Sequence, residues 1–192
     1  SQNLSCYGIE VVNNHRPAEI IAHHKTISAI SGDYCSAMGS KNETIFDPHR
    51  VAESSIYISL LVQGHQLIGG RKKSAVARIN PGQLIVHQRN DYYNYQCDDV
   101  KQLYIIPHSA KINTLFSGQL TNPVVTLDNH PLALFLKSHM LLLDAQSANL
   151  SAQETAVIVD GLHHIALQVL ADVAQEKGLR SSGKLAHLVN SA

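Results

Sequence analysis

The feature that most constrains this chain is one change of pattern near Pro123, from short strand-like runs to long helical ones. Residues 27 to about 127 are rich in β-branched and aromatic residues and are interrupted by Gly, Pro, Asn and Asp, which predicts strands and turns. No stretch between these runs is long enough for the helices of a doubly wound α/β sheet. The pattern therefore predicts an antiparallel sandwich or barrel. The clearest runs are residues 54–63, 74–79, 83–88 and 100–106.

Two helices are predicted after this change of pattern. The first has Pro131 in its first turn and continues as an apolar run that is too long for a strand. The second begins at a capping box formed by Ser151 and Glu154 and ends at Gly178. We predict a mainly β fold with C-terminal α-helices that form an antiparallel pair. The expected parts are a β-domain over residues 1–127, a helical segment over 128–178, and a linker with the start of another helix over 179–192.

One face of the second helix is a candidate dimer interface. At 100° per residue, apolar side chains fall on one stripe and polar side chains lie opposite. The apolar arc covers about half of the circumference, so one part can pack on the β-domain while another meets a second copy. Burial of the whole arc in the chain's own core is the open alternative. The stripe consists of Ile158, Leu162, Ile165, Val169 and Val173.

Charge and cysteine content limit the class of protein. The 15 Lys and Arg residues balance the 15 Asp and Glu residues, so the chain lacks the basic excess that binding to DNA or RNA requires. The three cysteines have no CxxC spacing, as expected of reduced thiols in the cytosol. We see no signal region and no apolar run near the length of a membrane span. The sequence predicts a soluble, cytoplasmic protein without membrane contact.

Histidine is abundant, with 12 residues, but the pattern does not favour a metal site. The adjacent pairs at 23–24 and 163–164 point to different faces of a strand or helix and make poor bidentate clamps. The sequence contains no HExxH motif, no GxSxG elbow and no glycine-rich phosphate loop after a strand. We predict no catalytic residue, no metal ligand and no cofactor.

A ligand pocket is better supported by the segment "INPGQLIVHQRNDYYNY" at residues 79–95. The mouth of a small β-barrel is a frequent ligand site, and tyrosine offers both an apolar face and a hydroxyl. The alternative, that these side chains alternate between core and solvent, stays open. The candidate pocket residues in or beside this segment are Arg78, His87, Tyr92, Tyr93 and Tyr95.

The layout resembles the N-terminal sensor region of AraC/XylS-type transcription regulators. The resemblance is carried by "PHRV" (48–51), "YISLLVQGHQLI" (57–68) and the segment at 79–95, and it covers about residues 27 to 192. It implies a cupin-like double-stranded β-helix, or jelly-roll barrel, followed by dimerisation helices. It also implies a helix-turn-helix DNA-binding domain that is absent from this chain. Residues 184–192 look like the first turns of that domain, so we expect the chain to be a fragment.

The same resemblance argues against a metal. In metal-binding cupins the second motif is Gly-x5-Pro-x-Gly-x2-His, preceded by a His-x-His and a Glu. If Gly82 is the shared glycine, Tyr93 stands where the ligand histidine would be and Ala75 stands at the glutamate position. Gln88 and Asn90 replace the expected Pro and Gly. In this register no imidazole or carboxylate is left to bind iron or zinc.

The sugar-sensing member of the family suggests further pocket positions. Its ligand-contacting tyrosine corresponds to Tyr95, a polar contact on the next strand falls near Lys101, and an arginine contact falls near His49 or Arg50. The resemblance implies an unidentified small-molecule effector, a homodimer, and promoter DNA bound only through the missing domain. A cupin-like metal-dependent enzyme, such as an isomerase or dioxygenase, and a dimerisation module with a vestigial pocket are the alternatives.

Overall fold

The computed structural model describes residues 9–11, 22–50, 55–70, 75–89, 91–116, 120, 122 and 124–178. Within these ranges, antiparallel strands come first and the two long helices come last, as the change of pattern near Pro123 predicts. A 3-10 turn lies at Pro48–Arg50. The strands are β1 (Ile9–Val11), β2 (Ala22–Ala29), β3 (Gly32–Gly39), β4 (Asn42–Phe46), β5 (Ser55–Gly70), β6 (Ala75–Ile79), β7 (Leu84–Arg89), β8 (Tyr93–Pro107) and β9 (Val124–Thr126), and the helices are α1 (Ser109–Leu115), α2 (Ala133–Gln146) and α3 (Ala152–Glu176).

Two long strands, β5 and β8, belong to both layers of the β-domain. Their first layer has the order β2-β3-β8-β5-β7-β9 and uses the second half of β8 and the first half of β5. The second layer has the order β1-β4-β8-β5-β6 and uses the other two halves. All of these pairings are antiparallel. The predicted fold class, a mainly β jelly-roll domain with C-terminal helices, is confirmed.

Strands β5 and β8 pass from one layer to the other where the regular pairing between them is interrupted. The register shifts twice between Leu61 and His65. At this point Gly64 has a φ of 82°, and Asp99 on the partner strand has a φ of 45°. A Cβ atom on Gly64 would lie 2.4 Å from the carbonyl oxygen of Asp98. Glycine is needed here because the positive φ and the close backbone both exclude a side chain.

Strand β7 is buried on both faces. All six of its residues are buried, although alternating burial is usual for a strand with one solvated face. Leu84 and Val86 belong to a hydrophobic cluster with the helices, whereas Ile85 belongs to a second cluster inside the β-domain. Because side chains alternate along a strand, His87 and Arg89 share the inward face of Ile85. A histidine and an arginine thus enter the barrel.

Helix α3 begins as predicted. The Ser151 side chain accepts a hydrogen bond from the Glu154 backbone N–H at 3.2 Å, and the Glu154 carboxylate accepts one from the Ser151 N–H at 2.8 Å. By length and composition α3 could cross a membrane, but core helices of soluble proteins share these properties. Its inward residues, including Val159, Ala166 and Leu170, are fully buried in the cluster with the β-domain, which is how the core helix of a soluble protein packs.

The predicted dimer stripe on α3 is divided by the fold. Leu162, Val169 and Val173 are 0–3% exposed and belong to the chain's own core. These three side chains cannot form an exposed interface, so their assignment to a dimer contact is corrected. Ile165 is half-buried and Ile158 is 36% exposed. The apolar arc of α3 is wide, and the sheet covers the stripe of that arc that was expected to face a partner. These side chains are therefore buried within the chain.

The adjacent histidines of α3 lie on different faces. His163 is completely buried, whereas His164 is exposed. Burial lowers the pKa of His163 to about 4, so it is neutral at physiological pH. The His163 ring also lies close to Gly32, where a Cβ atom would meet its Cε1 at 2.7 Å. In the described part of the chain, this pair is therefore one core side chain and one surface side chain.

Replacement of Gly64 by alanine tests the bend. We expect Gly64→Ala to lower the free energy of unfolding by about 3 kcal/mol, because the positive φ and the clash with the Asp98 carbonyl add. Gly82→Ala is the matched control, since Gly82 has a φ of 83° but no atom within 4 Å of its Cβ position. It should cost only about 1–2 kcal/mol. Equal losses in chemical denaturation would show that the bend does not depend on close packing at Gly64.

Candidate functional site

The inward side chains of the two layers meet around a cavity of about 110 Å³. One end is a rim on β2 and β3, where His23, His24 and Met38 are exposed. The other end lies deep in the barrel. An apolar cavity of about 150 Å³ is known to bind benzene, so this space suits a compact molecule. The deeper lining consists of Tyr57, Gln66, Arg89, Tyr95, Cys97, Val100, Gln102 and Tyr104.

Arg89 is the most unusual residue of this lining. Its side chain is only 8% exposed, and its Nε has no hydrogen-bond partner in the described part of the chain. The ion pairs between described residues involve Lys101, His130, Lys137 and Lys177, and none of these pairs includes Arg89. Arginine keeps its charge near neutral pH. A buried guanidinium without a carboxylate is costly, because desolvation is not offset by an ion pair.

Aromatic rings surround this guanidinium. Its Cζ lies 4.4 Å from the ring centroid of Tyr57, 5.2 Å from that of Phe46 and 6.0 Å from that of Tyr95. Ring faces attract a cation, and this attraction grows where water is excluded. The rings supply no negative charge and no planar pair of acceptors. They hold the guanidinium in place, and its Nε–H stays available as a hydrogen-bond donor to another group.

The neighbouring titratable groups are neutral. Tyr57 Oη and His87 Nδ1 are 2.6 Å apart. Burial, followed by the charge of Arg89, holds the pKa of His87 well below its usual value. Burial also raises the pKa of Tyr95 and of Tyr104 well above their usual values. Arg89 therefore provides the permanent charge of the deep cavity.

A network of amides forms another wall. Gln66 and Gln102 exchange two hydrogen bonds of 3.2 and 3.1 Å between their side-chain amides. Gln102 also donates to Ser59 Oγ at 3.0 Å and accepts from Tyr104 Oη at 2.6 Å. Both glutamines are buried, at 5% and 2% exposure. Because these side chains satisfy one another's hydrogen bonds, this wall is rigid. By contrast, the Nε of Arg89 and the hydroxyl of Tyr95 make no hydrogen bond of ordinary geometry among the described residues.

Three of the sequence-predicted pocket residues lie inside the barrel. Tyr95 lines the cavity, and its buried hydroxyl has no hydrogen-bond partner of ordinary geometry among the described residues. His87 and Tyr93 lie behind it, with ring centroids 5.0 Å apart in an edge-to-face arrangement. They support the cavity wall without lining the cavity itself. A ligand-binding role for all three stays a prediction.

The other predicted pocket residues lie elsewhere. His49 and Arg78 are exposed, and the Arg50 side chain lies outside the described residues. Lys101 pairs with Asp144 of α2 at 2.5 Å and borders a separate depression on the surface. Tyr92 is half-buried beside Asp91. These residues and Tyr95 do not converge on one cavity.

Sequence reasoning missed the residue at the centre of the cavity. Arg89 stands two residues after His87 and four after Ile85, so the alternation of β7 places it on the inward face. This alternation can be read from the sequence, but the strand begins with three consecutive apolar residues, so the pattern does not show which face is inward. The missed polar residues deep in the lining also include four on β5 and β8, which are Tyr57, Gln66, Gln102 and Tyr104.

Among the described residues, no group of three or more His, Cys, Asp or Glu side chains is placed to hold a metal ion. This finding covers the β-domain from β2 onward except for the short ranges that the structure does not describe. The register of Gly82 likewise puts Tyr93 and Ala75 at positions where metal-binding cupins have ligands. Tyr93 is buried beside His87 and Tyr95 in the barrel interior.

The fold is similar to that of a known transcription regulator. The crystal structure of the AraC-like transcriptional activator CuxR superposes with a TM-score of 0.60 at 11% sequence identity, over 85% of this chain and 60% of that chain. The chain thus spans about 60% of the length of that structure. At this identity the likeness shows the fold, a cupin-like β-domain followed by helices.

Other comparisons add little. An RmlC-like cupin protein from Desulfovibrio desulfuricans superposes with a TM-score of 0.37 at 11% identity, over 50% of this chain and 96% of that chain. A TM-score this low carries no argument of its own. No family model matches the sequence. No curated protein matches it either.

Proposed function

We propose that this chain is the effector-sensing and dimerisation region of a cytoplasmic bacterial transcription regulator of the AraC type. A helix-turn-helix domain outside this sequence would bind promoter DNA. The cavity with its buried Arg89, which has no carboxylate partner among the described residues, carries the proposal, because a structural core does not need a charge that no counterion offsets. The fold shared with an AraC-like activator supports it.

Strand β8 offers a route from the cavity to the helices. Gln102 and Tyr104 line the cavity, whereas Leu103 and Ile105, which alternate with them, belong to the cluster with the helices. A ligand that moves the inward side chains of β8 therefore acts on the outward ones as well. The effector would shift the populations of two arrangements of the helices, in proportion to its difference in affinity for them.

Two polar contacts strengthen this link between sheet and helix. Lys101 of β8 pairs with Asp144 of α2 at 2.5 Å. The Tyr34 hydroxyl of β3 donates to the carbonyl oxygen of Met140 in α2 at 3.0 Å. Both contacts end on α2, so the position of this helix follows the sheet. A shift of β8 would be transmitted to the dimer and then to the linker.

The proposed dimer surface lies mainly on α2. Four apolar side chains of α2 are 43–71% exposed on the face opposite its buried residues, and two from the first turns of α3 are 67% and 36% exposed. Exposed apolar side chains concentrated on one face of a helix, as on α2, are typical of an interaction surface. This α2 face replaces the buried part of the α3 stripe as the expected interface. It consists of Leu134, Phe135, Leu141, Leu142, Val157 and Ile158.

A metal-dependent cupin enzyme is the alternative from another class. It requires imidazole or carboxylate side chains that bind the metal directly, and the described residues contain no group of three or more His, Cys, Asp or Glu side chains placed to do so. Stoichiometric iron, manganese or zinc in untagged protein, measured by elemental analysis, would favour this alternative over a sensor.

The sensor role is tested by transcript profiling of the native host. Deletion of the complete gene should change a set of transcripts, and Ala37→Phe in that gene should affect the same set. Ala37 lines the cavity, so the larger side chain should exclude an effector. Gln96→Phe, at an exposed position of β8, is the control and should resemble the wild type. Unchanged transcripts after both deletion and Ala37→Phe would contradict the proposal.

The dimer surface is tested by Leu134→Lys combined with Leu142→Lys. Both residues lie on the exposed face of α2, so their replacement should leave the fold intact. It should raise the dimer dissociation constant at least about 100-fold, because two buried leucines per protomer are lost. Light scattering measures this change, with Gln153→Lys as the control at an exposed polar position. A double variant that remains a dimer would show that the interface lies elsewhere.

A further inference from the structure

The chemistry of the cavity defines a class of ligand. We infer that the cavity binds a compact monocarboxylate, with the carboxylate held by the Arg89 guanidinium and the Tyr95 hydroxyl. This inference rests on the proposed sensor function and specifies its effector. It begins from two buried polar groups on the cavity wall, the Nε of Arg89 and the hydroxyl of Tyr95, which make no hydrogen bond of ordinary geometry in the described part of the chain, although the side chains of Tyr57, Tyr95 and Arg89 lie within reach of one another.

The charge of the site selects an anion. Among the described residues that line the cavity, Arg89 is the one Lys or Arg, and none is Asp or Glu. A negatively charged ligand would offset the cost of burying this guanidinium. One positive charge matches one negative charge, so the site suits a monoanion better than a dianion such as phosphate.

The geometry of the donors selects a carboxylate. A guanidinium presents its N–H groups in a planar fork that fits the two oxygens of a carboxylate. Arg89 is held by the rings of Tyr57 and Phe46, so its orientation is fixed before a ligand binds. The ring centroid of Tyr95 lies 6.0 Å from the Arg89 Cζ, and both side chains line the cavity, so the Tyr95 hydroxyl is a second donor close to the guanidinium.

The rest of the lining selects a small apolar body. Ala37, Val100 and Cys97 contribute apolar surface, and the tyrosine rings contribute flat faces. A volume of about 110 Å³ leaves room for a short aliphatic chain or a single ring. A long-chain acid or a nucleotide would extend beyond this space, past the rim on β2 and β3. The amides of Gln66 and Gln102 are already paired, so they define the shape of the wall.

Matched acids and amides test the inference with probes of known chemistry. Butyrate and benzoate are compared with butyramide and benzamide, and with inorganic phosphate at equal ionic strength, by calorimetry on the chain. We expect at least one acid to bind, and the corresponding amide to bind at least about 30-fold more weakly, since only the acid forms a charge-assisted pair. Phosphate should bind no better than the amides.

Removal of the guanidinium provides the second measurement. Arg89→Met should weaken acid binding at least about 100-fold, while its melting temperature without ligand equals or exceeds that of the wild type. A purely structural Arg89 would instead make this variant less stable. Lys177→Met, at the exposed end of α3, is the charge-matched control and should bind as the wild type does.

If Arg89→Met does not fold, Tyr95→Phe is the variant that tests the inference. It keeps the ring and removes one hydroxyl, so acid binding should weaken about 10-fold with an unchanged melting temperature. Equal binding of acid and amide would overturn the carboxylate inference but leave the sensor proposal intact. Preference for phosphate, or no binding of any probe, would also overturn the inference. The sensor proposal fails separately, if the transcript experiment shows no change.

Discussion

The double burial of β7 organises both the fold and the candidate site. One face of this strand packs Leu84 and Val86 against the helices, and the other sends Ile85, His87 and Arg89 into the barrel. Both faces of such a strand pack against other parts of the protein, so its sequence is expected to be a continuous run of apolar residues. The polar residues that break the run carry a cost of burial, and their presence marks the inside of the barrel as more than a packed core.

The same two-sided arrangement connects the cavity with the helices. Strand β8 alternates cavity residues with residues that contact the helices, and the bend at Gly64 lets β5 and β8 contribute to both layers. Protein interiors are close-packed, so a change on one face of a strand displaces side chains on the other. In the proposed sensor, β8 would therefore connect a ligand in the cavity with the residues that pack on the helices.

The fold was largely predictable from the sequence, whereas the site was predictable only in part. The start of α3 followed from the Ser151–Glu154 capping box, and the β-domain followed from regular turn signals. The start of α2 was placed too early, since Pro131 was expected in its first turn but the helix begins at Ala133. Tyr95 was found because it belongs to a conspicuous tyrosine-rich segment. Arg89 was missed because its role depends on which face of β7 is inward, and Gln66 and Gln102 were missed because β5 and β8 exchange layers at a bend. The dimer contact predicted for the buried part of the α3 stripe was wrong for a different reason. Periodicity identifies the apolar face of a helix but does not show which part of the protein covers that face.

The central claim, that the barrel holds an anionic effector opposite Arg89, is tested most directly by native mass spectrometry. The complete regulator is purified from its own host without a tag, and the bound small molecules are identified after release. The account predicts a compact acid at up to one molecule per chain in the wild type and its loss in the Arg89→Met variant. A neutral molecule, or the same acid retained at equal occupancy by both proteins, would contradict it.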